Sequence, residues 1–447
     1  MEQTEKKRHF RLPFYIVKKL DTPKKIYWLT KIIGCLVAFL LAGIICTILS
    51  PGTFGIFYRE MFLGCFDPTD FETVLELLET AGLLLLVAFA LAPAFKMKFW
   101  NIGGEGQILM GCLMTATVTF FMPKDVSDFV TIPLAFICAV VASTVWAVIP
   151  AIFKAFFNTN ETLFTLMMNY IAMAIISVCI SAWVKSGSQV FPFLTNGGLP
   201  EFFDMKYILN IIIVALIVGL MVVYLKKTKH GYEISVVGES VNTARYVGIN
   251  VKVVIIRTMV LSGFLCGVVG FLLVAGHHHT LSTTLANGRG FTGVLIAWLG
   301  QFEPLQMFIY ALLVGIFQCG STHAASEIGM SKDEFSAIVT GMFFLVVIAS
   351  QFFVNYRIMF HETNGKDSKR IRFIKTIALI ECLLIIPIIP HMILLNKISD
   401  CKKRDDVLID GILSLVCGGF ITGILVLTLQ DRDFEKIEEK KESEEGK

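Results

Sequence analysis

Charge is scarce in this 447-residue sequence. Asp, Glu, Lys and Arg make up 17% of it, against a hydrophobic fraction of 55% and a mean hydropathy of +0.71. A soluble domain of that make-up would expose large apolar patches, so an ordinary globular protein is excluded. No G-x-x-x-x-G-K-[ST] is present, and the chain therefore has no P-loop of its own for ATP. The eleven cysteines include no C-x-x-C pair and lie mostly inside apolar runs. Neither a disulfide framework nor a metal site is indicated, and Cys65 is the clearest cysteine expected outside. Ser-His-Asp and zinc-protease spacings are missing. So is an inward-facing series of Asp, Glu and His that would relay protons, although sodium coupling through backbone carbonyls would leave little trace. With a formal net charge of only +3, nucleic-acid binding has no support.

What the chain has instead is long apolar runs. A spanning helix needs roughly 20 apolar residues to cross a hydrocarbon core of about 30 Å. Such runs stand at about 31–49, 71–95, 105–121, 129–153, 162–184, 207–225, 253–276, 306–320, 336–354, 372–395 and 408–428, with a shorter one at 291–300. These predict an all-α polytopic membrane protein. Residues 1–31 carry nine Lys and Arg without a signal-peptide cleavage pattern, and read as a basic cytoplasmic segment along the membrane surface. Counting the 291–300 element as a crossing, segments on the N-terminal side of the membrane through residue 375 hold 23 Lys and Arg, against 6 on the other side. By the positive-inside rule the N-terminus is cytoplasmic.

Several polar features interrupt the apolar pattern. "FWNIGGEGQILMG" (99–111) sets Asn101, Glu105 and Gln107 among glycines that disfavour regular helix, so the next span should start late or be broken. "NTNETLFTLMMNY" (158–170) places Asn160, Glu161 and Asn169 at the start of another span from the same side. Interfacial capping and a polar transport pathway both account for these stretches. Glu72, Glu76 and Glu79 share a helical face near an outer span end, where the helix dipole favours acids. "HHH" (277–279) reads as an exposed polar helix end. "GRGFTG" (288–293) follows a transmembrane helix rather than a buried strand, so it is not a dinucleotide fingerprint; its glycines suit a short helix dipping into the bilayer. Gly263, Gly267 and Gly270 form a small-residue stripe for close helix packing. The polar loop 226–252 suits a short surface helix, either as a plain solvated loop or as a docking element.

The stretches "NIGGEGQILMG", "NETLFTLMMNYIA", "GYEISVVGESVNTARYVGINVKVVIIRTMVLSGFLCGVVG" and "GRGFTGVLIAWLG" follow one another in an order that resembles ABC-importer permeases of the branched-chain amino acid/ribose type. Closest is the simple-sugar and nucleoside branch served by basic-membrane-protein lipoproteins, and the likeness covers roughly Thr80 to Tyr356. It implies a type II importer permease core of about ten transmembrane helices. The implied partners are a second permease subunit or another copy of the chain, a tandem or paired ABC ATPase carrying the ATP and Mg, and an extracytoplasmic substrate-binding lipoprotein. No cofactor is expected on this chain. The resemblance also places Gly238, Glu239, Ala244, Arg245, Tyr246, Gly248 and Ile249 in the region that couples to the ATPase. Asn101, Glu105, Gln107, Asn160, Glu161 and Asn169 fall on the family's polar motif positions, as translocation-pathway candidates. Three departures stand out: Ala81-Gly82 where a proline is usual, Trp298 where a small or aliphatic residue is usual, and "GMSKDEF" in place of a proline-containing segment.

The expected organisation is therefore a basic segment (1–31), a permease core (32–356, with coupling loop 226–252), a charged linker (357–371), an appended transmembrane hairpin (372–428) and a charged tail (429–447). The expected activity is ATP-driven import of nucleosides or simple sugars by alternating access across a bacterial cytoplasmic membrane. A self-powered secondary transporter of similar solutes is the first rival, and an intramembrane enzyme a more distant one.

Overall fold

The computed structural model describes residues 14–19, 23–50, 52–123, 125–184, 190–194, 196–202 and 205–360. The expected hairpin (372–428) and tail lie outside the described residues. Along the chain the elements are β1 (Phe14–Lys18), α1 (Lys24–Leu49), α2 (Phe54–Phe66), α3 (Phe71–Lys96), α4 (Gly104–Phe121), α5 (Asp128–Phe157), α6 (Glu161–Trp183), α7 (Ile208–Lys227), α8 (Lys229–Glu239), α9 (Val241–Tyr246), α10 (Val251–Leu272), α11 (Arg289–Leu299), α12 (Pro304–Ile328), α13 (Lys332–Asn355) and β2 (Tyr356–Phe360). A π-helical turn, Leu273–His278, extends α10.

Among the described residues, eight helices are long and apolar enough to cross a membrane: α1, α3, α5, α6, α7, α10 with its π-helical turn, α12 and α13. With the shorter α4 and α11 they account for every run anticipated in the core. The chain is a multi-pass, all-α membrane protein. α3 and α10 are buried over most of their length, whereas less than a quarter of α5 and of α7 is buried. The exposed faces carry Phe129, Ile137, Val178 and Leu216, side chains that match a hydrocarbon solvent.

Residues 32–349 form one compact unit. Its packing follows the small-residue stripe. A Cβ at Gly263 or Gly267 would collide with α5 around Ser143 and Val140, and one at Gly270 with the α4 backbone. The stripe lets α10 lie against both neighbours at once. α3 runs unbroken through Ala81-Gly82 and contains Pro93 near its end. Trp298 is half exposed and Gly329 ends α12 in the left-handed region, φ +77°, before α13 begins.

Two elements depart from expectation. α2 occupies a stretch expected to be loop; Phe57, Glu60, Met61, Gly64 and Cys65 form its buried face at helical spacing. Cys65 is thus buried, its Sγ donating to the Ile316 carbonyl at 3.4 Å, rather than exposed. In the second compact unit, β1 pairs antiparallel with β2, with Phe14 opposite Phe360 and Lys18 opposite Tyr356. Part of the basic N-terminal segment and the first residues of the expected linker are therefore strand.

Candidate functional site

α4 begins inside the protein rather than at its surface. Glu161 opens α6, and Asn169, eight residues further on, lies about 12 Å along that helix. The Asn169 Oδ1 accepts from the Gly106 N–H at 2.8 Å, and its Nδ2 donates to the Ile102 carbonyl at 3.0 Å. One side chain thus serves an unpaired donor of the first turn of α4 and a carbonyl of the segment leading into it. Thr165, one turn below, accepts from the Ile102 N–H at 3.2 Å and donates to the Glu161 carbonyl at 2.8 Å.

A closed triangle of side chains completes the brace. Asn101 Nδ2 donates to Ser262 Oγ at 3.1 Å, Ser262 Oγ donates to Gln107 Oε1 at 3.1 Å, and Gln107 Nε2 donates to Asn101 Oδ1 at 3.2 Å. The Asn101 Oδ1 also takes the Gly103 N–H at 3.1 Å. All three side chains are buried. Such a network is stabilising in a low-dielectric interior because every member is paired. Asn160 caps α6 through the Leu163 N–H at 3.1 Å, and Glu161 pairs with Lys154 of α5 at 2.8 Å.

Glu105 reaches across to α11. Its Oε1 accepts from the Gly288 N–H at 2.8 Å and its Oε2 from the Gly290 N–H at 2.7 Å. A carboxylate on the first N–H groups of a helix is favoured by both hydrogen bonding and the helix dipole. The two short helices therefore meet N-terminus to N-terminus, with Glu105 as the bridge. The contact leaves no room for a side chain at 290: a Cβ there would run into the Glu105 backbone. Of the six pathway candidates, Asn101, Glu105, Gln107 and Asn169 converge on this junction. Asn160 and Glu161 sit at the start of α6.

Sequence reasoning missed a second polar cluster near the opposite end of α3. Glu79 is buried; its Oε1 accepts from Asn210 Nδ2 of α7 at 2.7 Å, and its Oε2 meets His277 Nδ1 at 2.7 Å. His277 also lies against the Tyr207 ring. The first histidine of the triple is therefore a partnered, half-buried residue, not an exposed helix end. A cavity of about 370 Å³ opens beside it, its wall including Glu76, His278, Arg289, Phe291, Gln318 and Phe344. That size and mix of apolar wall with a few polar groups is typical of small-molecule sites. The acidic face of Glu76 and Glu79, the histidines of "HHH" and the glycines of "GRGFTG" were each visible in the sequence, but nothing there brought them together. Among the described residues no group of three His, Cys, Asp or Glu is placed to hold a metal ion.

The coupling candidates gather at the end of α3 where Lys96 lies, twenty residues and about 30 Å from Glu76. Gly238 is buried so closely on the Lys96 carbonyl that a Cβ would collide with it, and Ala244 is buried. Glu239 and Arg245 are exposed, Ile249 is half-buried, and Tyr246 is 92% exposed. Gly248 follows with φ +80°, a conformation a β-carbon would strain. Beneath this tip, Ile234, Val237, Ala244 and Val254 share an apolar cluster with Met97 and Phe99 of the α3–α4 turn. His230 anchors the corner: its Nδ1 faces the Tyr224 hydroxyl at 2.9 Å and its Nε2 the Thr258 hydroxyl at 3.2 Å. Burial pulls the His230 imidazole below its ordinary value.

Comparison with known proteins matches residues 73–348 to the profile of the family described as "Branched-chain amino acid transport system / permease component". Among curated relatives, the nucleoside ABC transporter permease protein NupB of Lactococcus lactis is 28% identical, over 65% of this chain and 83% of its own length. The guanosine ABC transporter permease protein NupP of Bacillus subtilis is 27% identical, over 71% and 92%. A glucose ABC transporter permease protein of Haloferax volcanii is 27% identical, over 70% and 85%.

Proposed function

The chain belongs to the permease family of branched-chain amino acid transport systems, and from that premise we propose that it carries nucleosides or simple sugars inward across a bacterial cytoplasmic membrane. As a permease subunit it has no ATPase site of its own; hydrolysis is the work of partner proteins, and a substrate-binding partner accompanies it. The solute class follows the relatives named for nucleosides, guanosine and glucose. A tandem or paired ATPase docks on the Tyr246–Gly248 tip and holds the ATP and Mg. A second permease, or a copy of this chain, completes the pathway, and an extracytoplasmic lipoprotein delivers the solute. The N-terminus and the 226–252 loop face the cytoplasm, as the Lys and Arg distribution favours.

The observation that carries this reading is the junction of α4 and α11. Two helix N-termini meet inside the protein, and residues 288 and 289, at the start of α11, line the cavity. Helix ends buried at depth build solute sites in transporters through their dipoles and the side chains beside them. Here Glu105 and Asn169 occupy N–H groups of the junction, which leaves the cavity side chains to meet solute. On this reading Asn101, Gln107 and Asn169 hold the junction's shape from behind, while the cavity wall meets solute.

Proteoliposomes containing the permease, its ATPase and its binding protein should import labelled nucleosides or sugars only with ATP. Replacing the Walker lysine of the ATPase should abolish uptake. Gradient-driven uptake by the permease alone would establish the rival secondary-transport reading. Product formation without transport, lost on replacing Glu105 or Glu161, would point to an enzyme.

A further inference from the structure

Among the described residues, Arg289 is a cation without an anion. It lines the cavity, yet among the described residues no carboxylate comes within ion-pair distance of it. A guanidinium carries five N–H donors in a planar fork. Here Nη1 donates to the Leu285 carbonyl at 3.3 Å, and the buried Nε has no hydrogen-bond partner. Glu76 and Asp333 line the same cavity without forming an ion pair with Arg289, and the acid on the adjoining helix is committed elsewhere. Glu105 spends both oxygens on the N–H groups of Gly288 and Gly290, the residues flanking Arg289. An arginine inside a membrane protein without a protein partner is costly to keep and marks a ligand or ion pathway.

The rest of the wall indicates what that ligand resembles. Phe291 and Phe344 supply flat apolar surface, Phe291 being 41% exposed. Glu76 supplies an acceptor, Gln318 both a donor and an acceptor, and Thr322 a hydroxyl. A solute satisfying this wall has an aromatic face, an edge of hydrogen-bond acceptors for the guanidinium, and hydroxyls for the acceptor side. A nucleoside has all three; a hexose has no aromatic face and no acceptor-only edge.

We propose that this cavity is a nucleoside subsite in which the Arg289 guanidinium donates to the acceptor edge of the base, with Glu105 as a positioning residue that fixes the Arg289 loop. The proposal rests on the import reading above and narrows it. It separates two roles for the polar residues near the junction: Glu105 acts through the loop it holds, and Arg289 acts on the solute.

The test uses the assembled permease–ATPase complex in nanodiscs, with guanosine as probe and glucose as comparator. Thermal unfolding is followed over a range of each solute. Guanosine should stabilise the complex in a saturable way, and glucose should not. Arg289→Gln should raise the half-saturating guanosine concentration at least tenfold, with Arg289→Lys in between, because a point charge replaces a planar fork. Glu105→Gln keeps the size of the side chain but presents an amide donor to one of the two N–H groups. It should weaken guanosine binding while glucose stays without effect. Complex recovered in wild-type yield serves as the folding control, and a variant that fails it is replaced by Gln318→Leu, which should raise the same midpoint. Unchanged midpoints in all variants that assemble would overturn the subsite. Stabilisation by glucose alone, or by neither solute while the full system imports guanosine, would overturn it and leave the import reading standing. Failure of the full system to import any nucleoside or sugar would remove that reading itself.

Discussion

The Glu79 carboxylate and the His277 imidazole meet at 2.7 Å across 198 residues of sequence, tying the N-terminal half of α3 to the π-helical end of α10. Asn210 holds the other carboxylate oxygen at 2.7 Å, so one buried acid joins three helices beside the cavity. Glu79→Ala should leave Asn210 and His277 unpaired and cost about 1–3 kcal/mol, the usual penalty for stranded buried polar groups. Glu79→Gln can keep one of the two bonds and should cost less. Thermal unfolding in nanodiscs checks the order wild type, Glu79→Gln, Glu79→Ala; equal stability of the last two would discount the pairing.

The Asn101–Gln107–Ser262 triangle predicts non-additivity. Asn101→Ala and Ser262→Ala each break the same ring, so each should destabilise by about 1–2 kcal/mol. The double variant should cost clearly less than the sum of the two. Full additivity would mean that the three side chains are not one network.

Docking is tested at a side chain that does no packing. Tyr246 is 92% exposed, so Tyr246→Asp should leave the fold intact and reduce co-purification of the ATPase several-fold. Gly248→Asp should do the same with an added cost in the loop, where φ is +80°. Undiminished co-purification with Tyr246→Asp would remove the tip from the interface.

The His230 corner should weaken in acid. Burial, the largest influence, holds this imidazole below its ordinary 6.5, with Arg257 adding to the effect and Glu233 and the Val254 backbone opposing it. The unfolded corner therefore takes up the proton first as pH falls through about 6.5, and stability declines from there downward; above that pH nothing changes. Hydrogen exchange over residues 229–246 should show less protection at pH 5.5 than at 7.5. His230→Gln should flatten the difference, and an unaltered difference in that variant would assign the effect to another group.

The spans were legible because twenty apolar residues have few alternatives, but α4 neither starts late nor breaks: it begins at Gly104 and runs through Gly106, whose N–H is held by Asn169. α2 was not legible, since thirteen residues carrying Arg59 and Glu60 look like a loop until α12 supplies a surface for Met61 and α13 a ring for Phe57. The bridge from Glu105 to Gly288 spans 183 residues, and neither end announces the other. Asn101, Gln107 and Asn169 stood out as polar residues in apolar company. Their partners, Ser262 and the backbone of the turn, could be found only by folding the chain. Arg289 went unnoticed for the same reason: an arginine beside a glycine-rich loop reads as surface until the cavity around it is seen.

The apolar cluster beneath the Tyr246 tip has a consequence for how force is routed. Met97 and Phe99 sit in it with Ile234, Val237 and Ala244, and Glu105 lies six residues beyond Phe99. On the docking proposal, a push on the α8–α9 corner has a packed route to the short link between α3 and α4, and from there to the carboxylate that grips the start of α11. Ala147 and Ala151 of α5 share that cluster and Leu225 of α7 packs against it, so the corner is seated on both of these helices as well. On that proposal the docking tip and the floor of the cavity, about 30 Å apart along α3, are joined by one short segment of chain.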